Sequence, residues 1–245
     1  MNFFKRRVKE IIEEIYTGSI NVFKLPRDLY KAISGHLNAA VNKGYGSSLK
    51  YQTDEVMLKH LRENVTLFSG AKTFNFVLST EGLIIENGKI LPFKVFNSRA
   101  SQLFDLHNKT WLEAEYNTAI GQAQIARDWQ GYEANKEILP YLRYVTIHDA
   151  HVSDVCKACD GVIKKVGDPF WAQHSPLQHY NCRCHLESLS EAIETSGIII
   201  NNIPPPLKEF QNNPGITGQV FTKDHPYFKE IPEKYVKLAK KNFNL

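Results

Sequence analysis

Residues 141–147 read YLRYVTI, and residues 148–161 continue as HDAHVSDVCKACDG. The first run follows Pro140 and is rich in β-branched and aromatic residues, which suit a pleated, half-buried surface; it predicts a strand. The second run holds two cysteines in C-x2-C spacing, Cys156 and Cys159. Upstream of Pro140 the apolar residues recur mainly at helical steps, so the change of period here makes the chain α+β. The expected architecture is mostly helical, with a long central helix and a small strand-and-loop module carrying cysteines and histidines.

The module continues through Asp168-Pro-Phe-Trp171 to His179-Tyr-Asn-Cys182-Arg-Cys184-His185. All four cysteines of the chain lie between Cys156 and Cys184, and five of its nine histidines fall between His148 and His185. Zinc takes four nitrogen or sulfur ligands in a tetrahedron, and C-x2-C brings two sulfurs onto one ion through a tight turn. His179 and Cys182 form a second pair with the same gap. Cys182 and Cys184 share one face if they lie on a strand, because residues two apart point the same way. Cys156, Cys159, His179, Cys182 and Cys184 are therefore five candidate ligands for a structural zinc ion that needs four of them. Reduced cysteines buried in a compact loop, or disulfides, are the competing readings. Distributed disulfides would be expected in a small secreted chain, and Met1-Asn-Phe-Phe-Lys-Arg-Arg builds no apolar signal-peptide core.

Enzymatic readings fare worse. The zinc deaminase signature places H-x-E upstream of P-C-x-x-C, whereas His185-Leu-Glu187 lies downstream and Val155, not proline, stands directly before Cys156. A thiol oxidoreductase needs C-x-x-C opening a helix in a βαβ setting, but Asp160-Gly161 turns the chain at once. A histidine nuclease drawing on His148, His151 and Asn181 rests on permissive spacing. The expectation is no catalysis, with a metal-dependent nuclease or toxin-like enzyme acting on nucleic acid as the alternative.

Working outward, Leu112, Tyr116, Ala119, Ala123, Ala126 and Trp129 make one apolar stripe. It predicts a helix from about Phe93 to Trp129 that ends at Gly131, with Glu113, Glu115, Gln122, Gln124 and Asp128 on its other faces. Nearer the start, amphipathic helices are expected over Asn2 to Tyr16 and Pro26 to Asn42, and a third from Thr53 or Asp54 through Val65. Phe74 to Leu78 fits helix or strand, and Glu86-Asn87-Gly88-Lys89 fits a hairpin turn or a plain loop. Beyond the module come a short polar helix near Ser190 to Thr195 and a Pro-, Asn- and Gly-rich stretch, Asn201 to Gly218, read as an extended arm. A basic amphipathic helix closes the chain, Pro232 to Leu245, with Lys234, Lys237, Lys240 and Lys241. The organisation is thus a helical region 1–90, a central domain 91–200 and a tail 201–245. With 30 Lys and Arg against 26 Asp and Glu over 245 residues, the net charge of +4 is too small for a protein that coats nucleic acid by electrostatics alone. Apolar runs of three or four residues exclude a membrane span, which needs about 20.

In these residues the chain resembles the phage Mu protein F-like family of minor head, or head morphogenesis, proteins of tailed phages and prophages. The matching pieces are Leu142-Arg-Tyr144 with Thr146, Asp149 and Val152, then Asp160-Gly161, Asp168-Pro-Phe-Trp171, Pro176, and His179-x-Asn181-Cys182-Arg183-Cys184. Glu115-Tyr116-Asn117-Thr118-Ala119 and Ala126-x-x-Trp129 on the preceding helix are similar too, so the likeness covers about Leu112 to Leu189. Family members often carry a charged residue and arginine at the positions of Ala150 and His151, and some lack the pair at 156 and 159. The zinc expectation therefore rests on the residues and not on the resemblance. The resemblance implies a minor structural protein of the virion head, made in the host cytoplasm and placed in the procapsid interior or at the portal vertex. Its implied partners are the portal protein and the major capsid or other head proteins. Contact between the basic C-terminal helix and packaged double-stranded DNA is open, against a solvated basic face.

Overall fold

The computed structural model describes residues 2–191 and 203–229, with single positions at 231, 233 and 237. The polar helix expected near Ser190 falls outside these residues beyond Glu191, and so does the basic helix from Pro232 apart from positions 233 and 237. Helices α1 (Asn2–Tyr16), α2 (Arg27–Tyr45) and α3 (Asp54–Glu81) are followed by a hairpin, β1 (Ile85–Glu86) and β2 (Lys89–Ile90). Then come α4 (Phe93–Asp105), a π-helical segment (Leu106–Thr110) and α5 (Trp111–Asn135). The module holds β3 (Tyr141–Val145), α6 (Asp154–Cys159), β4 (Ile163–Lys165), α7 (Phe170–Gln173) and β5 (His185–Leu189). A 3-10 turn (Lys208–Phe210), α8 (Pro214–Thr217) and α9 (Pro226–Lys229) complete the described chain.

Contacts divide the chain into two units that do not follow sequence order. The described residues of the first come from 2–37, 66–114 and 226–229; those of the second come from 38–65 and from 115–225.

In the first unit, Ile11, Ile12 and Ile15 of α1, Ile33 of α2 and Phe96 and Ala100 of α4 are buried. Tyr16 packs its ring on Phe93 and Phe96 at 5.2 and 5.0 Å. Helix α3 settles the ambiguity over Phe74 to Leu78 as helix, and it runs 16 residues beyond Val65. It is buried on several sides, so no stripe marks it in sequence. Its polar side chains turn back on their own helix: Thr73 Oγ1 donates to Ser69 O at 2.8 Å, and Thr80 Oγ1 donates to Phe76 O at 2.7 Å. Asn87 and Gly88 both take positive φ, 51° and 74°, which makes Asn-Gly a hairpin turn matched to strand twist.

The helix expected to run unbroken from Phe93 is interrupted by the π segment. One extra residue per turn there accompanies an inward His107, whose ring lies 4.4 Å from Trp111 and 6.0 Å from Tyr227. Burial, and then the Lys72 charge, push the His107 imidazole down to about 4.

The second unit is built on the stripe of α5. Ala119, Ala123, Ala126 and Trp129 are buried as expected, but so are Glu115 and Gln122, which the sequence placed on outer faces. Small residues explain this, because they let neighbours approach α5 closely. A Cβ on Gly44 of α2 would lie 2.0 Å from the Ile120 carbonyl oxygen, and one on Gly121 would lie 2.6 Å from Leu177. Gly131 does not end α5, which continues to Asn135; the chain then turns before Pro140, where a helix is disfavoured.

The sheet is antiparallel in the order β4-β3-β5. Strand β3 alternates, with Leu142 and Tyr144 fully buried between half-buried neighbours. Its register pairs Tyr144 with Leu186 and Arg143 with Ile163. The expected strand ends two residues early. Asp160 there accepts from the Thr146 N–H and hydroxyl at 2.9 and 3.0 Å.

The expected extended arm is instead packed from Pro206 onward. Phe210, Asn212, Asn213, Pro214 and Gly215 are buried, and a Cβ on Gly215 would sit 2.2 Å from Trp129 Cβ. Asn64 Oδ1 accepts from the N–H groups of Val220 and Phe221, both at 2.9 Å, while its Nδ2 donates to Phe221 O. Side-chain amides pin this stretch, and composition alone does not reveal them.

Two outcomes test this packing. Gly44→Ala should lower stability by about 3 kcal/mol through overpacking, whereas Gly35→Ala on the same helix, with nothing within 4 Å, should raise it by about 0.5–1 kcal/mol; chemical denaturation of both checks this. His107 is a pH-sensitive group. Its folded value is lowered, so the unfolded chain binds the proton first. Its contribution is complete above the ordinary histidine value near 6.5 and is lost as pH falls toward about 4. Melting curves across that window should show a loss of at most about 3 kcal/mol that is absent in His107→Phe.

Candidate metal centre

The module closes around sulfur. Cys156, Cys159, Cys182 and Cys184 belong to one apolar cluster with Trp129, Leu142, Tyr144, Trp171 and Leu186. All four are free thiols. Ser153 caps α6 by accepting from Cys156 N–H, so the C-x2-C pair occupies one short helix rather than a loop turn. Gly161, at φ 74°, then turns the chain back toward Tyr144, accepting no strain that another residue would carry.

From the other side comes the loop between α7 and β5. Asn181 takes φ 59°, a left-handed conformation that asparagine tolerates, and Cys182 N–H donates to His179 O at 3.3 Å. Cys182 and Cys184 are not on a strand, because β5 begins only at His185. The turn nevertheless carries both thiols inward. Cys182 Sγ lies 3.6 Å from Cys156 Sγ, and Cys184 lines the same small cavity beside them.

The five candidate ligands therefore separate. One ligand atom from each of Cys156, His179 and Cys182 lies within 4.8 Å of the other two, and Cys184 lines the cavity they share. Cys159 faces elsewhere, its Sγ accepting from Gln178 Nε2 at 3.3 Å. The His179 ring is oriented by a 2.8 Å hydrogen bond between Nδ1 and the Tyr180 carbonyl. Since the carbonyl can only accept, Nδ1 carries the proton and Nε2 keeps its lone pair.

Electrostatics follow this geometry. Hydrogen bonds from the Cys182 and Cys184 thiols hold Cys156 far below the ordinary thiol range, and the same bonds push Cys184 far up. Cys159 is pushed up to about 11, chiefly by burial. Tyr144 donates its hydroxyl to Cys156 Sγ at 3.5 Å, and burial raises that phenol strongly.

A cavity of about 20 Å³ is lined by Cys156, Cys182 and Cys184 with Ile147, His151, Val152, His179, Asn181 and Arg183. It suits an ion or a water, about one probe sphere in size, and not a nucleotide. Of the residues weighed for a nuclease, His151 and Asn181 line this cavity while His148 does not, and all three are exposed. His148 Nδ1 lies 3.5 Å from Asp160 Oδ2, and Arg183 pairs with Asp149 at 2.7 Å.

The second unit also holds a polar cleft of about 570 Å³, lined among others by Ser47, Lys50, Asp54, Arg127 and Tyr132. Sequence reasoning passed over it. The one signal was the break at Gly44-Tyr-Gly-Ser-Ser48, after which the buried Asp54 carboxylate accepts from the Tyr45 hydroxyl at 2.6 Å and from the Lys50 and Tyr51 N–H groups.

Residues 91–187 match the family model described as phage Mu protein F like protein. The Mu-like prophage FluMu F protein of Haemophilus influenzae is 32% identical over 95 residues, 38% of this chain. The chain spans only 22% of the length of that relative. No solved structure matches. No helix among the described residues is long and apolar enough to cross a membrane. The matched stretch contains α4, α5, the sheet as far as Glu187 and all five cysteine and histidine candidates, and over it the chain is similar to the phage Mu protein F-like family.

Proposed function

We propose that this chain is a minor structural protein of a tailed-phage or prophage head, which binds portal or capsid protein and assists head assembly, DNA packaging or ejection. The observation that carries the reading is the family match over residues 91–187, which takes in the long helix and the cysteine module together. A binding role accords with what the residues offer. The hairpin presents Ile85 and Ile90 as a cross-strand pair, both more than 60% exposed, and apolar side chains in such positions contribute contact area to a protein partner. Recognition in this reading uses helix faces and that ribbon, while the module acts as a rigid anchor. The basic segment Pro232 to Leu245 is the part that would meet packaged DNA. The site of action is the virion head, at the portal vertex or in the procapsid interior, after synthesis in the host cytoplasm.

Mass spectrometry of virions purified from the phage or induced prophage that encodes the chain tests this. The expected result is the chain in particles, at constant ratio to portal protein across preparations. Its absence from particles overturns the reading. A purified protein that cuts DNA, and loses this on His148→Ala or His179→Ala, would replace it with the nuclease alternative.

A further inference from the structure

We propose that Cys156, His179, Cys182 and Cys184 bind one zinc ion as a closed Cys3His site, and that Cys159 is not a ligand. The proposal is independent of the head role. It begins from distance. Two sulfurs each about 2.3 Å from one tetrahedral ion are separated by about 3.8 Å, and Cys156 and Cys182 Sγ are 3.6 Å apart. That spacing is far from the roughly 2.05 Å of a disulfide and close to what a shared ion requires.

The remaining ligands complete the set. Cys184 lines the same small cavity as Cys156, His179 and Cys182, and a His179 nitrogen lies within 4.8 Å of Cys156 and Cys182. The Nδ1–H bond to the Tyr180 carbonyl is the arrangement that metal-ligating histidines commonly show: the proton is held on one nitrogen and the other is aimed. Nε2 is then the ligating atom. Cys159 has its own partner in Gln178, which separates it from the group although C-x2-C spacing alone would include it.

Chemistry selects the metal. Three soft thiolates and an imidazole in a tetrahedron favour zinc over magnesium or calcium, which take oxygen. On binding, three thiols release their protons to solvent as three Zn–S bonds form; nothing is oxidised or reduced. Zn²⁺ with three thiolates carries one net negative charge, and Arg183 lines the same cavity. Four protein ligands leave no open position, so the ion is structural rather than catalytic. It would join α6 to the loop before β5, adding to the Gln178–Cys159 hydrogen bond that already links them.

The experiment is elemental analysis and zinc-edge X-ray absorption on the full-length protein, purified reduced from zinc-replete medium. The expected result is about one zinc per chain, with a shell of three sulfurs and one nitrogen. Cys159→Ser should keep its zinc, and Cys184→Ser should lose at least tenfold. A folded wild-type protein with less than a tenth of a zinc per chain overturns the proposal. A four-sulfur shell, or a folded Cys159→Ser that loses its zinc, overturns the ligand assignment. If Cys184→Ser fails to fold, the wild-type absorption spectrum decides by itself.

Discussion

Everything in the second unit is arranged around the meeting of Cys156 with the Cys182–Cys184 turn. Three thiols converge in an apolar cluster where hydration is lost, and polar atoms there must satisfy one another. Sulfur does so at low cost, being a weak donor and acceptor that packs like a small hydrophobe. Tyr144 adds a hydroxyl from beneath, and its own position is set by the alternation of β3. The sheet is only three short strands, too small to be stable without help. What makes it hold is that α6 and the α7–β5 loop are drawn together over the buried face of β3.

Helix α5 is the floor under this arrangement. Its surface of Ala119, Gly121, Ala123 and Ala126 admits backbone and side chains at distances that any larger residue would forbid. Trp129 then fills the junction among α5, the sheet and the segment around Gly215. Close approach on one side and a large aromatic on the other are complementary: the small residues set the spacing, and the indole excludes water from the end of the groove. Asn213 ties this segment to α7, its Oδ1 capping α8 while its Nδ2 donates to Trp171 O.

Much of this was legible in the sequence, for reasons that differ by residue. The α5 stripe was visible because one face alternates at 3.6 residues, and β3 because β-branched and aromatic residues cluster after Pro140. The five candidate ligands were visible as a cluster. Which of them come together was not, since C-x2-C and H-x2-C look equivalent until α6 turns Cys159 toward Gln178. Glu115 and Gln122 were misplaced because side-chain polarity does not report how closely neighbours approach past the small residues of α5, and both are buried by that approach. The π segment left no compositional trace. The tail misled for a plainer reason: Pro and Asn imply an extended chain locally, while the amide bonds from Asn64 span about 157 positions and no window of sequence contains them.

The interleaving of the two units bears on how the chain comes to be folded during synthesis. Residues 38–65 are made early, yet they are clamped by Val220 and Phe221; α3 likewise waits for Tyr227, whose ring meets Phe68 at 5.5 Å and whose carbonyl accepts from Asn75. Neither unit can close until the ribosome has passed these late residues, so the usual order of N-terminal folding first does not apply. The Phe68 part of α3, which meets Tyr227 and Phe228, lacks these partners through most of translation. The boundary of the family-like stretch is thus not a boundary of folding: a segment cut at 91 and 187 would take pieces of both units and the closing contacts of neither.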